Sequence, residues 1–419
     1  MSARPFNLAE IIEQMADSVG NRPAVITETS EYTYAEIDDR TTRLANHLVS
    51  AGIRPGDHVA VHAMNCIEWV DAFYGIMKAR AVPINVNYRY RHNELKHVYG
   101  NSGAVLAIVA PQYVELVNDI RPELPALRQL LVLGEDYDTA LTGASPERRI
   151  TGRSSDDLYI LYTGGTTGLP KGVVWRQEDL IRGALNALRY GAPLDSVEQL
   201  GAEAAANEFP MRLLTVGPLM HGGSQWIMGN CHVAGATFVL STLPSFDPAK
   251  TLDLASEANV ISLVVLGDAT ARPLAEALLA EPGRWDLSSL LAVSNGAAPL
   301  SAAVRAQLHT ALPNCIINDS YGASESGTTA TRIDDGTPRT TPLFDAGPDV
   351  MVVDEQWRPC PVGKSACWRA AARSRWAIST TRRRRRPPSR RSTASAGSYP
   401  ATSPAESMTA AFRCSDAAR

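Results

Sequence analysis

Short apolar, β-branched runs alternate along this chain with segments of helical period, which restricts the fold to βαβ units around parallel sheets. One series of predicted strands falls at 58–63, 81–86, 104–109, 130–133 and 157–162, and a second at 212–217, 236–240, 260–266, 290–294 and 315–319. Helical segments such as 271–280 and 301–311 separate members of the second series. Upstream, Asn7 with Glu10 and Thr33 with Glu36 have the spacing of helix N-terminal caps, and Leu8, Ile11, Ile12 and Met15 share one face of the first helix. A chain of 419 residues exceeds what one hydrophobic core usually serves. The expected class is therefore α/β, with two doubly wound α/β subdomains, about 1–185 and 186–345, sharing a cleft. The run at 349–354 is expected to start a separate β-barrel element within 346–365.

Composition works mainly by exclusion. An apolar fraction of 45% and a charged fraction of 20% are those of an ordinary globular enzyme. The body of the chain is mildly acidic and offers no basic surface for nucleic acid. Six scattered cysteines form no C-x-x-C pair and no zinc spacing, which favours a reducing, cytoplasmic location over secretion. No apolar run approaches the ~18 residues of a membrane span, so any membrane contact is expected to be peripheral. These features specify no oligomeric state.

The most informative stretch is Tyr162-Thr163-Gly164-Gly165-Thr166-Thr167-Gly168-Leu169-Pro170-Lys171-Gly172, between one apolar strand and the likewise strand-like Val173-Val174-Trp175. Its glycines let backbone amides approach an anion, its threonines add hydroxyl donors, and Lys171 supplies positive charge. That combination suits a polyphosphate. Pro170 stands where a Walker A loop needs glycine, and no helix obviously starts there, which disfavours a kinase or P-loop ATPase.

The string resembles the phosphate-binding loop of the adenylate-forming (AMP-binding) superfamily, which includes acyl-CoA synthetases, luciferases and peptide-synthetase adenylation domains. Further segments resemble the family's motifs in the family's order: Thr33 to Leu48, Pro218-Leu219-Met220-His221-Gly222, Asn295-Gly296-Ala297-Ala298-Pro299-Leu300 and Tyr321-Gly322-Ala323-Ser324-Glu325. The resemblance covers residues 7 to 365. It implies an ATP-dependent acyl-CoA ligase, in which a carboxylic acid and ATP give acyl-AMP and pyrophosphate, and CoA then gives acyl-CoA and AMP. The tryptophan-containing form of the loop resembles actinobacterial ligases of fatty acids and steroid side chains.

Site residues follow from the same resemblance. Lys171, Ser324 and Glu325 take catalytic roles; Glu325 and Thr167 hold Mg²⁺. The phosphates fall to Thr163, Gly164, Gly165, Thr166, Thr167, Gly168 and Lys171. Gly296, Ala297 and Ala298 line one side of the adenine, and Ser320, Tyr321, Gly322, Ala323 and Ser324 complete the nucleotide site. His221, Gly267 and Asp268 line the acyl pocket, although Asp268 equally fits a helix cap and His221 a hydrogen-bonded structural residue. Two other functions stay open: a non-catalytic nucleotide- or acyl-binding remnant, and an adenylating enzyme with an acceptor other than CoA.

Two departures from the family pattern stand out. Arg80 occupies a helix end where relatives commonly carry glycine, and a left-handed conformation there costs Arg about 1 kcal/mol. From Ala366 onward the chain carries twelve Arg, no Lys, one Glu and one Asp, without apolar periodicity. Composition alone reads this as a disordered basic arm. With suitable synonymous codons, the neighbouring reading frame from Ser365 yields GVLARGGPVPLGYFNDPEKTAATF, VVPGDFA and DDGSV, which resemble the family's continuation. A frame slip near Lys364 is the expectation; an unambiguous in-frame DNA read there, with no family motif in the neighbouring frame, would sink it. The out-of-frame tail lacks the family's ribose-binding aspartate and its small C-terminal domain with a catalytic lysine. The chain is accordingly expected to bind nucleotide, to adenylate poorly and to form thioester hardly at all.

Overall fold

The computed structural model describes residues 4–164, 168–189, 192–334, 345–346, 350–353, 369–372 and 377–379. The N-terminal part contributes strands β1 (Pro23–Ile26), β2 (Glu31–Thr33), β3 (His58–His62), β4 (Val82–Asn85), β5 (Leu106–Val109), β6 (Gln129–Val132), β7 (Leu158–Thr163) and β8 (Lys171–Arg176). There follow β9 (Arg212–Thr215), β10 (Thr237–Leu240), β11 (Ser262–Val265), β12 (Ala292–Asn295), β13 (Ile316–Ala323) and β14 (Gly327–Ile333). Short strands β15 (Asp345–Ala346), β16 (Val350–Val353), β17 (Arg369–Ala372) and β18 (Ala377–Ser379) complete the described set.

The strands form two large sheets, in the orders β18-β8-β7-β4-β3-β5-β6 and β15-β14-β13-β12-β11-β9-β10-β1-β2. Strands β3 to β7 run parallel, as do β9 to β13 with β1, and antiparallel strands flank each core. Each expected strand has its counterpart, and the architecture is the α/β fold read from the sequence. The linear division near residue 185 is crossed, however, because β1 and β2 complete the second sheet. They hold four and three residues, too short for periodicity to reveal. The run expected at 349–354 appears as β16, paired with β17.

One apolar core joins both sheets. It packs Met15, Trp69, Phe73, Trp175, Met228 and Phe238 together, from helices Leu8–Val19, Ile67–Lys78 and Gly222–Val233 and from strands of either sheet. Burying each such side chain stabilises the fold by about 1.5–3 kcal/mol. Two further clusters cover the outer sheet faces. The caps are as the sequence implies: Asn7 accepts from the Ala9 amide, and Thr33 with Glu36 forms a reciprocal capping box. Glu10 pairs instead with Arg153, 3.0 Å away.

A buried charge network holds the segment that leads into β7. Lys78, fully buried, pairs with Asp38 and donates to Thr42 at 2.8 Å. Arg148 reaches the same Asp38 at 2.7 Å, and Arg153 reaches Glu13 at 2.9 Å. Among the described residues, no helix is long and apolar enough to cross a membrane.

Candidate active site

The expected site residues cluster at the carboxyl ends of the parallel strands, where open α/β sheets offer a crevice. The glycine-rich segment joins antiparallel β7 and β8, with Thr163 opposite Lys171 in register. It is therefore a hairpin loop, not the strand-to-helix turn of a Walker site. Gly164, Gly168 and Lys171 are exposed and Thr163 is half-buried. Gly165, Thr166 and Thr167 lie outside the described residues, so the Mg²⁺ role read for Thr167 does too. The far side of the loop is anchored by His97, whose ring N–H donates to the Pro170 carbonyl at 2.8 Å.

Asn85, the last residue of β4, ties this loop to the His221 segment. Its side-chain oxygen accepts from the Tyr162 amide at 2.7 Å, while its NH₂ donates to the carbonyls of Tyr162 (2.8 Å) and Met220 (2.7 Å). His221 itself is solvent-exposed at the start of helix Gly222–Val233 and makes no side-chain cap. Protein around the ring, and then the charge of Arg89, lower its pKa, so it is neutral at pH 7.

The Tyr321–Glu325 motif is the tip of the β13–β14 hairpin. Ser320, Tyr321, Gly322 and Ala323 extend β13 beyond the stretch expected from apolarity alone, and Ser324 and Glu325 form the turn, both half-buried. Gly322 is required there: a Cβ would stand 2.2 Å from the Gly327 carbonyl oxygen across the hairpin. The hairpin is bound to the first sheet by Trp175 of β8, whose indole N–H donates to the Ser324 carbonyl at 3.0 Å. This bond brings the strand that starts at Lys171 beside the residue preceding Glu325.

The third element is the turn after β12. Gly296 is half-buried and Ala297 and Ala298 are exposed, with Ala297 in the left-handed region at φ 64°. Gly267, after β11, packs beneath it at φ 65°; a Cβ there would lie 2.6 Å from that of Ala298. Asp268 is spent on structure. It opens helix Asp268–Ala280, accepts from the Ser301 amide at 2.7 Å and pairs with Arg272 at 3.0 Å. Partial burial alone would raise its pKa, but the bonds from Ser301 and Arg272 prevail and hold the carboxyl below its ordinary value. The N-cap is Gly267, not Asp268: Asp268 is the first residue of the helix and, contrary to the cap expectation, makes no cap bond.

Sequence reading missed roles for Asn85, Trp175 and Asn295. Strands β4 (VPIN) and β12 (AVSN) both end in a nearly fully buried Asn. A polar residue closing an apolar strand was the available signal.

The sequence profile of the AMP-binding enzyme family matches residues 12–365. The chain is 37% identical over 343 residues to a 3-oxocholest-4-en-26-oate–CoA ligase of Rhodococcus rhodochrous, a match covering 77% of this chain and 61% of the relative. Against the medium/long-chain-fatty-acid–CoA/3-oxocholest-4-en-26-oate–CoA ligase of Mycobacterium marinum, identity is 37% over 371 residues, covering 84% and 67%. The chain thus spans about three-fifths to two-thirds of the length of these curated relatives. Among solved structures, the N-terminal domain of FACL13 from Mycobacterium tuberculosis superposes with a TM-score of 0.74 at 22% identity, covering 87% of this chain and 89% of that one. The anthranilate CoA ligase AuaEII, in complex with anthranoyl-AMP, gives 0.73 at 22% identity over 88% of this chain and 70% of its own. The basic tail lies beyond the family match. On the profile match and the identity to these ligases, the chain belongs to the AMP-binding enzyme family.

Proposed function

We propose that this chain is the adenylating body of an ATP-dependent acyl-CoA ligase whose substrate is a fatty acid or a steroid side-chain carboxylate. The observation that carries the reading is the 3.0 Å bond from Trp175 to the Ser324 carbonyl. It couples the polyphosphate hairpin to the Glu325 hairpin across the two sheets. The relatives' names supply the substrate class and the acceptor, CoA.

Attack of a carboxylate oxygen on the α-phosphorus of ATP forms one P–O bond and breaks the one to the β-phosphate bridging oxygen, releasing pyrophosphate. No proton needs to move. The demand on the protein is to balance charge on the leaving group and the α-phosphoryl oxygens. Lys171 and the loop amides meet the leaving phosphates, and the Ser324 hydroxyl meets the α-phosphoryl group. Mg²⁺ commonly takes one or two protein carboxylates with substrate phosphates, and Glu325 fits that donor set. The ion would supply further neutralisation of phosphate charge. Neutral His221 gates the acyl side without carrying a proton. A reducing cytoplasm suits the free thiols of Cys66, Cys231 and Cys315.

The test is acid-dependent exchange of labelled pyrophosphate into ATP, with a panel of fatty acids and steroid side-chain acids. Exchange above background that falls at least about tenfold in Lys171→Ala and Glu325→Ala is expected, the loss of one charge-stabilising contact. A folded wild-type chain with no exchange for any acid would overturn the proposal.

A further inference from the structure

We infer that Asn295 is a positioning residue that couples the acyl side of the site to its nucleotide side; this rests on the adenylation reading above. The side chain is 4% exposed and sits at the last position of β12. Its oxygen accepts the Gly267 amide at 2.8 Å, and its NH₂ donates to the Ala298 carbonyl at 2.9 Å and to Asp319 Oδ1 at 2.9 Å. The orientation of the amide is unambiguous, because an N–H can only donate to the oxygen and a carbonyl can only accept from the nitrogen.

Each partner belongs to a different wall. Gly267 is the last residue before helix Asp268–Ala280, and on the adenylation reading it belongs to the acyl side. Ala298 lies in the exposed turn after β12, which on the same reading faces the nucleotide. Asp319 precedes Ser320 and Tyr321 on β13, and its other oxygen is held by Arg305. Arg305 in turn pairs with Asp334 at 3.3 Å, so Asp319 is fixed from behind. One buried amide therefore ties the segments that follow β11 and β12 to strand β13. Movement of the Ala298 turn around a bound nucleotide is transmitted to Gly267 through this side chain, beside the direct packing of Gly267 under the turn, and the reverse also holds, since coupling between sites is reciprocal.

The chemistry of the amide gives a selective test. Asn295→Asp keeps an acceptor for Gly267 but places a carboxylate against Asp319 and the Ala298 carbonyl, losing both donors. Asn295→Ala loses all three bonds. In pyrophosphate exchange, Asn295→Asp is expected to raise KM for ATP about tenfold, the effect of losing one or two ordinary hydrogen bonds, and to leave KM for the acid within about twofold. Asn295→Ala is expected to raise both. A general loss of structure would move the two constants together in either variant, so equal shifts in Asn295→Asp overturn the inference, as do unchanged constants in Asn295→Ala.

A measurement on the unaltered chain covers the case in which a variant does not fold. Hydrogen–deuterium exchange with Mg·ATP should slow the Gly267 amide together with those of the 296–300 turn. Protection of the turn with no change at Gly267 overturns the inference. Failure of the adenylation reading is recognised separately, by a wild-type chain that neither binds Mg·ATP nor exchanges pyrophosphate.

Discussion

Arg80 sits in the left-handed region at φ 59°, one residue past the end of helix Ile67–Lys78 and its cap Ala79. The sequence implied both the conformation and a cost of about 1 kcal/mol for a side chain there. It did not reveal the compensation. The guanidinium pairs with Asp157 at 2.9 Å and makes a second bond to it at 3.3 Å, and Asp157 also accepts from the Ser154 amide at 3.1 Å. This pair stabilises the folded state by about 1 kcal/mol, comparable to the backbone strain. Arg80→Gly is therefore expected to change the unfolding free energy by less than about 1 kcal/mol, and Arg80→Ala, which keeps the strain and loses the pair, to lower it by about 1 kcal/mol. Urea titrations of the two variants give the comparison, and an alanine variant as stable as the glycine variant would refute the offset. The same limit applied to the site. Lys171, Glu325 and the turn after β12 stood out because each belongs to a contiguous run of motif residues, whereas Asn85 and Asn295 bond mainly to partners on other strands. A hydrogen bond spanning 135 residues, as from Asn85 to Met220, leaves in the sequence only the polar residue that closes an apolar strand, without its partner.

Between elements, the contact that matters most is that of β8 with the β13–β14 hairpin. Trp175 is almost fully buried, meets Trp226 edge-on at a centroid distance of 6.1 Å, and supplies the N–H to Ser324. Trp175→Phe keeps an aromatic ring but removes the donor and leaves space beside Trp226. The expected result is a loss of about 1–3 kcal/mol in unfolding free energy, from an unpaired carbonyl and a small cavity, measured by urea titration. Unchanged stability would mean that the hairpin is held by something else. At this scale the sequence was readable where period and length cooperate. The parallel strands of both sheets are apolar runs bounded by turn residues, as burial on two faces demands. Strand β14 was not legible, because its sequence, GTTATRI, mixes exposed polar with buried positions and its pairing depends on a β13 that continues past its apolar part.

Across the whole molecule, acid sensitivity follows from where the buried titratable groups lie. His62 closes β3, stacked on Tyr113 at 4.6 Å, and burial pushes its pKa down to about 4. His232 is in the shared core; burial also lowers it to about 4, against a small opposing effect of the Ala24 carbonyl. Its Nε2–H donates to that carbonyl at 3.2 Å, and in the neutral ring Nδ1 accepts from the Tyr74 hydroxyl at 2.7 Å. Both folded values lie below the ordinary 6.5, so this contribution is complete above pH 6.5 and is lost as pH falls toward 4. Asp71 acts in the opposite sense: burial, against the charge of Arg40, raises it to about 6 from 3.8, so its contribution is present at low pH and lost as pH rises through 6. Near pH 5 the unfolded chain thus holds two extra histidine protons and the folded chain one extra carboxyl proton. The net slope from these three groups is about 1.4 kcal/mol per pH unit, stability decreasing as pH is lowered. His62→Phe retains an aromatic ring against Tyr113 and removes one of the two histidine protons. Urea unfolding between pH 6.5 and 4.5 should therefore show a slope in the variant shallower by about 1.4 kcal/mol per unit, and an unchanged slope would mean that His62 is protonated in the folded chain.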